Sequence, residues 1–288
     1  MMETGVLLAI VAMVCWGFGD FLIQKSTRKT GDWNTLFVIT AFGAVALLPF
    51  VYGDIPALLS GSNLWVLTGA SFVLFVAALL DFEALKEGKL AVVEPIWVLE
   101  IPVSGLLAVL IIGESISAEQ IGLIACLIVG LMLVSLKSTK ISRKLLLERG
   151  VFISVIAAVA MGAANFFVGM GSRATGALMV NWFLNVFLAA FSLIFLVAKG
   201  GVKDMARNYK VEKKVWLGMC IFDNLAWIAF AGAMSLSPIA ITVALSENYI
   251  ILAALLGMYL NKERMRGHQK LGVALAIGAG TLLALTLA

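Results

Sequence analysis

The sequence predicts an all-α polytopic membrane protein of ten transmembrane helices, built as two inverted five-helix repeats. Three observations predict it: an apolar composition, ten apolar runs of bilayer-spanning length, and an internal duplication with an odd number of runs in each copy. Of 288 residues, 62% are hydrophobic and 13% are charged, and the mean hydropathy is +1.04. Soluble domains are about 45–50% apolar and about 25% charged. In water, such a chain could not cover its apolar surface with polar groups. That excludes a soluble enzyme, a nucleic-acid-binding domain and a disordered chain.

A helix needs roughly 20 apolar residues to cross the hydrocarbon core. Ten runs qualify: 5–24, 33–52, 63–82, 90–112, 117–136, 151–171, 177–198, 214–235, 238–260 and 268–287. Barrel strands would be shorter and alternate in polarity. The first run follows Met1-Met2-Glu3-Thr4, which lacks the basic residues of a signal-peptide leader. It also has a counterpart later in the chain, so it is expected as a mature helix.

Net charge is +4. Twenty of the 21 basic residues fall in the loops after odd-numbered runs, including the connection around Lys137–Arg149; only Arg173 lies on the other side. Basic loops stay cytoplasmic, so both termini are expected outside a plasma (inner) membrane. Cys15, Cys126 and Cys220 lie inside apolar runs and are expected as structural thiols. His268 is expected at a loop or helix interface.

The halves align across the basic connection. Trp16-Gly17-Phe18-Gly19-Asp20-Phe21 matches Met161-Gly162-Ala163-Ala164-Asn165-Phe166, and Arg28, Thr30 and Gly31 match Arg173, Thr175 and Gly176. Glu114 matches Glu263. The domain division is 1–138 for the first repeat, 139–149 for the basic loop and 150–288 for the second repeat. Five helices per copy invert the second copy, a plan that puts a transporter's site near midplane between the repeats. Gly122, Cys126 and Gly130 in the fifth run, and Gly272, Ala276 and Gly280 in the tenth, form ladders of small residues at i, i+4, i+8. They let helices approach closely in lipid. Contact within one chain is favoured over a homodimer face, and monomer and homodimer both remain open.

These residues resemble the EamA-type members of the drug/metabolite transporter superfamily. The resemblance is carried by Trp16-Gly17 with Phe21 and Lys25, by Pro102, and by Gly113-Glu114 followed by Gln120-Ile121-Gly122. The second half repeats the last motif as Lys262-Glu263 with Gln269 and Gly272. The resemblance covers essentially the whole chain. It implies a secondary transporter with a central cavity lined mainly by helices 1, 3, 4, 6, 8 and 9, and it leaves the substrate open. Members are commonly drawn with both termini in the cytoplasm, whereas the charge pattern here puts them outside.

Ionisable groups are costly in hydrocarbon, so each is a functional candidate. In run 8, Asp223 and Asn224 share a face with Trp227. Run 9 carries Ser246-Glu247-Asn248-Tyr249, with Glu247 about nine residues into the span, a polar density that suggests a water-filled cavity. Run 4 carries Glu94, Trp97 and Glu100 on one face, between Pro95 and Pro102; Glu94 is expected near the membrane edge, paired with Lys86 or Lys89. Asp20 lies one turn after Trp16 and five residues before Lys25, so an interfacial ion pair is the rival reading to a site role, and its repeat counterpart is the neutral Asn165. The candidate substrate- or proton-binding set is therefore Asp223, Glu247, Glu100, Trp97, Asn224, Trp227, Asn248, Tyr249, Trp16, Asp20 and Asn165.

Asn181 and Asn185 are expected to make packing hydrogen bonds. Glu114 and Glu263 are expected to be structural, each favouring the N-terminus of the next helix. Asp81, Glu83 and Glu87 are expected to be solvated. No metal or cofactor is expected.

The deep candidates are acids, and no Lys or Arg lies mid-span, which argues against phosphorylated substrates. Burial without a cationic partner disfavours a charged carboxylate. The expected function is secondary active, proton-linked transport of a small metabolite such as an amino acid or amine. Its partners are that substrate, membrane lipid and protons, with no nucleic acid. An uncoupled facilitator of a neutral solute is the alternative. A membrane-embedded enzyme has no nucleophile motif or metal cluster to support it.

Overall fold

The computed structural model describes residues 2–61, 63–87, 95–136, 149–252, 255 and 265–287. Its helices are α1 (Met2–Thr30), α2 (Asp32–Val51), α3 (Asn63–Glu87), α4 (Glu100–Ile112), α5 (Ala118–Ser135), α6 (Arg149–Thr175), α7 (Ala177–Ala198), α8 (Val202–Leu236), α9 (Ile239–Ser246) and α10 (Gly267–Leu285). A 3-10 turn at Tyr52–Asp54 and a short helix at Ile55–Ser60 join α2 to α3. There is no strand among the described residues. Among the described residues, nine helical stretches are long and apolar enough to cross a bilayer, and Ile239–Leu252 forms a shorter tenth. This is the all-helical, polytopic architecture expected from the sequence.

Several boundaries differ from the apolar runs. α8 starts at Val202, in a stretch expected as a basic loop until residue 214. Hydropathy marks where lipid ends, whereas the backbone ladder continues through charged residues that favour a helix. Conversely, α4 and α9 are shorter than their runs because both are interrupted. Glu94, Lys89, Lys262, Glu263, Arg264 and most of the basic connection lie outside the described residues.

The duplication is visible in backbone detail. Gly31 and Gly176 open α2 and α7 with nearly identical left-handed φ values of 85° and 86°, a conformation glycine adopts without steric cost. Gln120 and Gln269 each accept a bond from the backbone N–H three residues earlier, Ser117 and Arg266, both at 3.0 Å. Each amide then bridges to the far end of the opposite helix. Gln120 donates to Thr286 Oγ1 at 3.1 Å, and Gln269 donates to the Val134 carbonyl at 2.9 Å.

Helix pairing obeys the same pseudo-two-fold relation. α1 packs on α8 as α6 packs on α3, and α4 packs on α6 as α9 packs on α1. α2 pairs with its own counterpart α7, α4 with α9, and α5 with α10. The ladder residues Gly130, Gly272 and Ala276 lie in the α5–α10 contact. A Cβ on Gly272 would sit 2.6 Å from the Gly130 carbonyl oxygen and 2.8 Å from Leu133 Cβ. The favoured contact within one chain is therefore present for these residues. It does not extend to Gly122, which has open space around it, or to Cys126, which is exposed. Gly280 instead faces Asn248 of the interrupted helix. Cys15 and Cys220 are buried, and His268 bonds the Leu136 carbonyl at 2.8 Å across the α5–α10 interface.

Glu114 differs from its expected position. Rather than serving the next helix in sequence, its carboxylate accepts the Ile239 backbone N–H at 3.0 Å, at the N-terminus of α9. It also pairs with Arg173 Nη2 at 2.5 Å. Arg173 in turn donates to the Met234 and Ser237 carbonyls, at 2.9 and 3.0 Å. The isolated arginine of the weakly basic side therefore ties the α8–α9 corner to the end of α4.

Replacing Gly272 with leucine should force α5 and α10 apart, an overpacking cost of about 1–3 kcal/mol. Gly278, on the same helix with open space around it, is the control. The expected result is a lowered unfolding midpoint in detergent for Gly272→Leu and none for Gly278→Leu.

Candidate functional site

The centre of the bundle is marked by two interrupted helices. The α4 segment turns at Val98–Leu99, and α9 turns at Glu247–Asn248. In the first, Leu99 N–H bonds Ile96 O at 3.0 Å and Ile101 N–H bonds Val98 O at 3.3 Å. In the second, Asn248 N–H bonds Leu245 O at 3.3 Å and Ile250 N–H bonds Glu247 O at 3.2 Å. The four residue positions correspond pairwise in the two repeats. Both helices tighten to an i→i+3 pattern at the same register.

The chemical cause differs between the halves. In α4, Pro102 has no N–H to offer Val98 O, which takes Ile101 instead. In α9, Asn248 Nδ2 bonds Ala244 O at 3.2 Å, replacing the backbone N–H that the turn has drawn away. It also bonds Leu245 O at 3.1 Å. Non-regular backbone at membrane depth is tolerated only inside protein or beside a water-filled cavity. Both turns meet this condition, since α4 packs on α6 and α9, and α9 packs on α1 and α4.

Paired glycines allow the approach. A Cβ on Gly162 of α6 would lie 2.7 Å from Val103 Cβ and 2.9 Å from the Glu100 carbonyl oxygen. A Cβ on its counterpart Gly17 of α1 would lie 2.5 Å from Leu252 Cδ2. Val103 and Leu252 also correspond in the repeats. The glycine of the Trp16-Gly17 motif is therefore a close-packing position against the interrupted helix.

Around the turns the structure gathers polar and aromatic groups. Glu100 is 8% exposed and accepts a hydrogen bond from Asn165 Nδ2 at 3.1 Å. Glu247 is 5% exposed and has neither a hydrogen bond nor an ion pair to its carboxylate among the described residues. Asp20, Asp81, Glu100 and Glu247 lie within electrostatic reach of one another, and Asp223 within reach of Asp20. No Lys, Arg or His among the described residues offsets them. Beside them, Trp16 packs edge-on against Trp227, with centroids 5.4 Å apart, and against Phe230 at 4.9 Å; Tyr249 lies 6.2 Å from Trp16.

The repeats contribute unequal halves. Asn165 meets Glu100 just after the α4 turn. At the corresponding positions, Asp20 is within electrostatic reach of Tyr249 just after the α9 turn. One half is thus amide and acid, the other acid and phenol.

Of the residues singled out from sequence, Trp16, Asp20, Glu100, Asn165, Asp223, Trp227, Glu247 and Tyr249 come together. Asn224 stands apart from this group. Its Oδ1 accepts from Asn185 at 2.9 Å, and its Nδ2 donates to Cys220 O at 2.9 Å and Ile39 O at 3.2 Å, joining α8 to α7 and α2. Asn181 similarly bonds the Ala177 and Trp227 carbonyls. Asn248 is turned back on its own helix. Trp97 precedes the α4 turn with Nε1 buried and no acceptor among the described residues.

Two residues were missed. Asp81 was expected to be solvated. It lies inside α3, which runs on to Glu87, and its Oδ1 is buried without a donor among the described residues. The other is Phe230, whose i+3 spacing from Trp227 puts it on the same face and whose ring contacts Trp16 and Trp227.

A family model described as the EamA-like transporter family matches residues 3–136 and 148–286. A solved structure titled only "Crystal structure of protein" is similar with a TM-score of 0.77 and 16% identity, over 98% of this chain and 98% of that chain. At that identity the likeness is one of fold. None of the curated proteins matches this chain.

The Asn165–Glu100 bond should be measurable as a coupling. Asn165→Leu is expected to cost about 1–3 kcal/mol by leaving Glu100 without its donor. In the Glu100→Gln background the same change should cost less. Thermal or chemical unfolding of the four proteins in a double-mutant cycle reads the difference.

Proposed function

The chain belongs to the EamA-like transporter family, and on that basis we propose that it is a secondary active transporter of a small metabolite, an amino acid, an amine or a similar solute. The carrying observation is the pair of helix interruptions at corresponding positions, with Glu100 and Glu247 beside them. In transporters built from inverted repeats, interrupted helices of this kind border the midplane site, and the repeats rock around it to expose it alternately.

Proton linkage is the proposed coupling. Like charges gathered in a low-dielectric interior repel one another, and binding a proton or a cationic solute relieves that repulsion. Glu247 and Asp223 are the proposed proton-linked groups. Glu100, tied to Asn165, is the better oriented of the deep acids. The aromatic group formed by Trp16, Trp227 and Tyr249 supplies the apolar wall. The proposed setting is the plasma membrane with basic loops in the cytoplasm and both termini outside, supported by the segregation of basic residues. A terminal tag reachable by antibody on intact cells tests this orientation; a tag reached only after permeabilisation contradicts it.

Function is tested in liposomes holding the purified protein, with charge movement recorded on adding pooled amino acids and amines at mildly acidic and mildly alkaline pH. A pH-dependent, solute-evoked current is expected. Asp223→Asn and Glu247→Gln should flatten the pH profile, and Glu247→Gln should slow transport at least about tenfold, the loss of roughly one charge-assisted contact. Solute flux indifferent to pH and to both substitutions would instead identify an uncoupled facilitator.

A further inference from the structure

We infer that the site selects an organic cation, a protonated or quaternary amine bearing an apolar and preferably aromatic group. This rests on the transporter reading and narrows its substrate class. Four carboxylates, Asp20, Asp81, Glu100 and Glu247, lie within electrostatic reach of one another, and a fifth, Asp223, lies within reach of Asp20. Only Glu100 has a donor among the described residues, Asn165. Glu247 is 5% exposed and unpartnered there, and Asp81 Oδ1 is buried without a donor. A buried acceptor left without a donor is expensive, and the ammonium group of a bound solute would supply the donor that Asp81 Oδ1 lacks among the described residues.

The geometry bears on which cation that is. A metal ion draws its ligands to within about 2.0–2.6 Å of one point. Among the described residues, no three or more His, Cys, Asp or Glu side chains form a group that could hold a metal ion. Carboxylates that sense one another without converging suit a cation whose charge is spread over a larger group. Trp16, Trp227, Phe230 and Tyr249 form one aromatic group, with Trp16 one helical turn before Asp20 and Trp227 one turn after Asp223, and aromatic faces attract cations within about 6 Å of the ring centroid.

The same surroundings disfavour a solute carboxylate. No described Lys, Arg or His offsets the cluster. The backbone N–H groups of Leu99, Ile101, Asn248 and Ile250 at the two turns are all bonded to carbonyls, so the turns offer none of these donors to an anion. A zwitterion would bring its own negative charge among five carboxylates with nothing in view to receive it.

The test uses the full-length purified protein and four probes on one phenethyl frame: phenethylamine (cation), phenylalanine (zwitterion), 2-phenylethanol (neutral) and phenylacetate (anion). Tryptophan emission near neutral pH reads binding, and flux into liposomes is measured in parallel. Phenethylamine should bind at least about tenfold more tightly than the other three. Trp227→Leu and Glu247→Gln should each weaken it about tenfold, Glu247→Gln weakening phenethylamine far more than phenylethanol because only the first carries charge, while Trp227→Phe, which keeps a ring, should retain most of the affinity.

Equal or tighter binding of phenylalanine or phenylethanol, no binding of any probe, or indifference to both weakening substitutions would overturn the inference. If phenylalanine binds best and is carried, the transporter reading survives and the cation inference falls. If phenethylamine binds best but neither it nor any pooled solute crosses the membrane, the cation site stands and the transporter reading falls.

Discussion

Two helices interrupted at corresponding residues cannot face lipid, and much of the packing serves to keep them inside. Hydrocarbon offers no partner to a free carbonyl or N–H, so each turn needs protein around it or water at its side. The close approaches at Gly17 and Gly162 bring α1 and α6 against those turns. The remaining pairs are α2 with α7, bridged by Asn224 of α8 through Ile39 O and Asn185, and α5 with α10, joined by the two glutamines. The Arg173–Glu114 pair fixes the N-terminus of α9, holding one interrupted helix from its outer end.

Duplication explains the shared shape, and divergence explains the chemistry. The two turns have the same hydrogen-bond register, yet one is made by a proline and the other by an asparagine side chain. The corresponding residues just after the turns are Glu100 and Tyr249, and their neighbours from α6 and α1 are Asn165 and Asp20. A symmetric scaffold therefore carries an asymmetric interior. On the proposed reading, that asymmetry lets one half hold charge in a fixed orientation while the other exchanges it.

The scaffold could be read from sequence because lipid imposes a strong length and polarity signal on each span. The repeat could be read because paired glycines and glutamines carry geometric duties that other residues perform badly. The start of α8 could not, since hydropathy reports the membrane and not the helix. Asp81 was misplaced for the same reason: it lies at the polar edge of an apolar run, where sequence alone assigns it to water, but α3 continues and brings it among the other acids. Asn224 looked like a site residue because it neighbours Asp223. Only the three-dimensional arrangement separates an amide bonded to α2 and α7 from a carboxylate facing Asp20. The partner of Glu114 was equally hidden, as it lies 125 residues away at Ile239.

The central claim is that the space beside the α4 and α9 turns is reached alternately from both sides of the membrane. A single cysteine at Ile250, half-buried just past the α9 turn, tests it in a background lacking Cys15, Cys126 and Cys220. A membrane-impermeant thiol reagent is applied to one face and then the other, under proton gradients of each sign. The account predicts labelling from both faces, with the favoured face changing with the gradient. Labelling from one face alone under every gradient would contradict it.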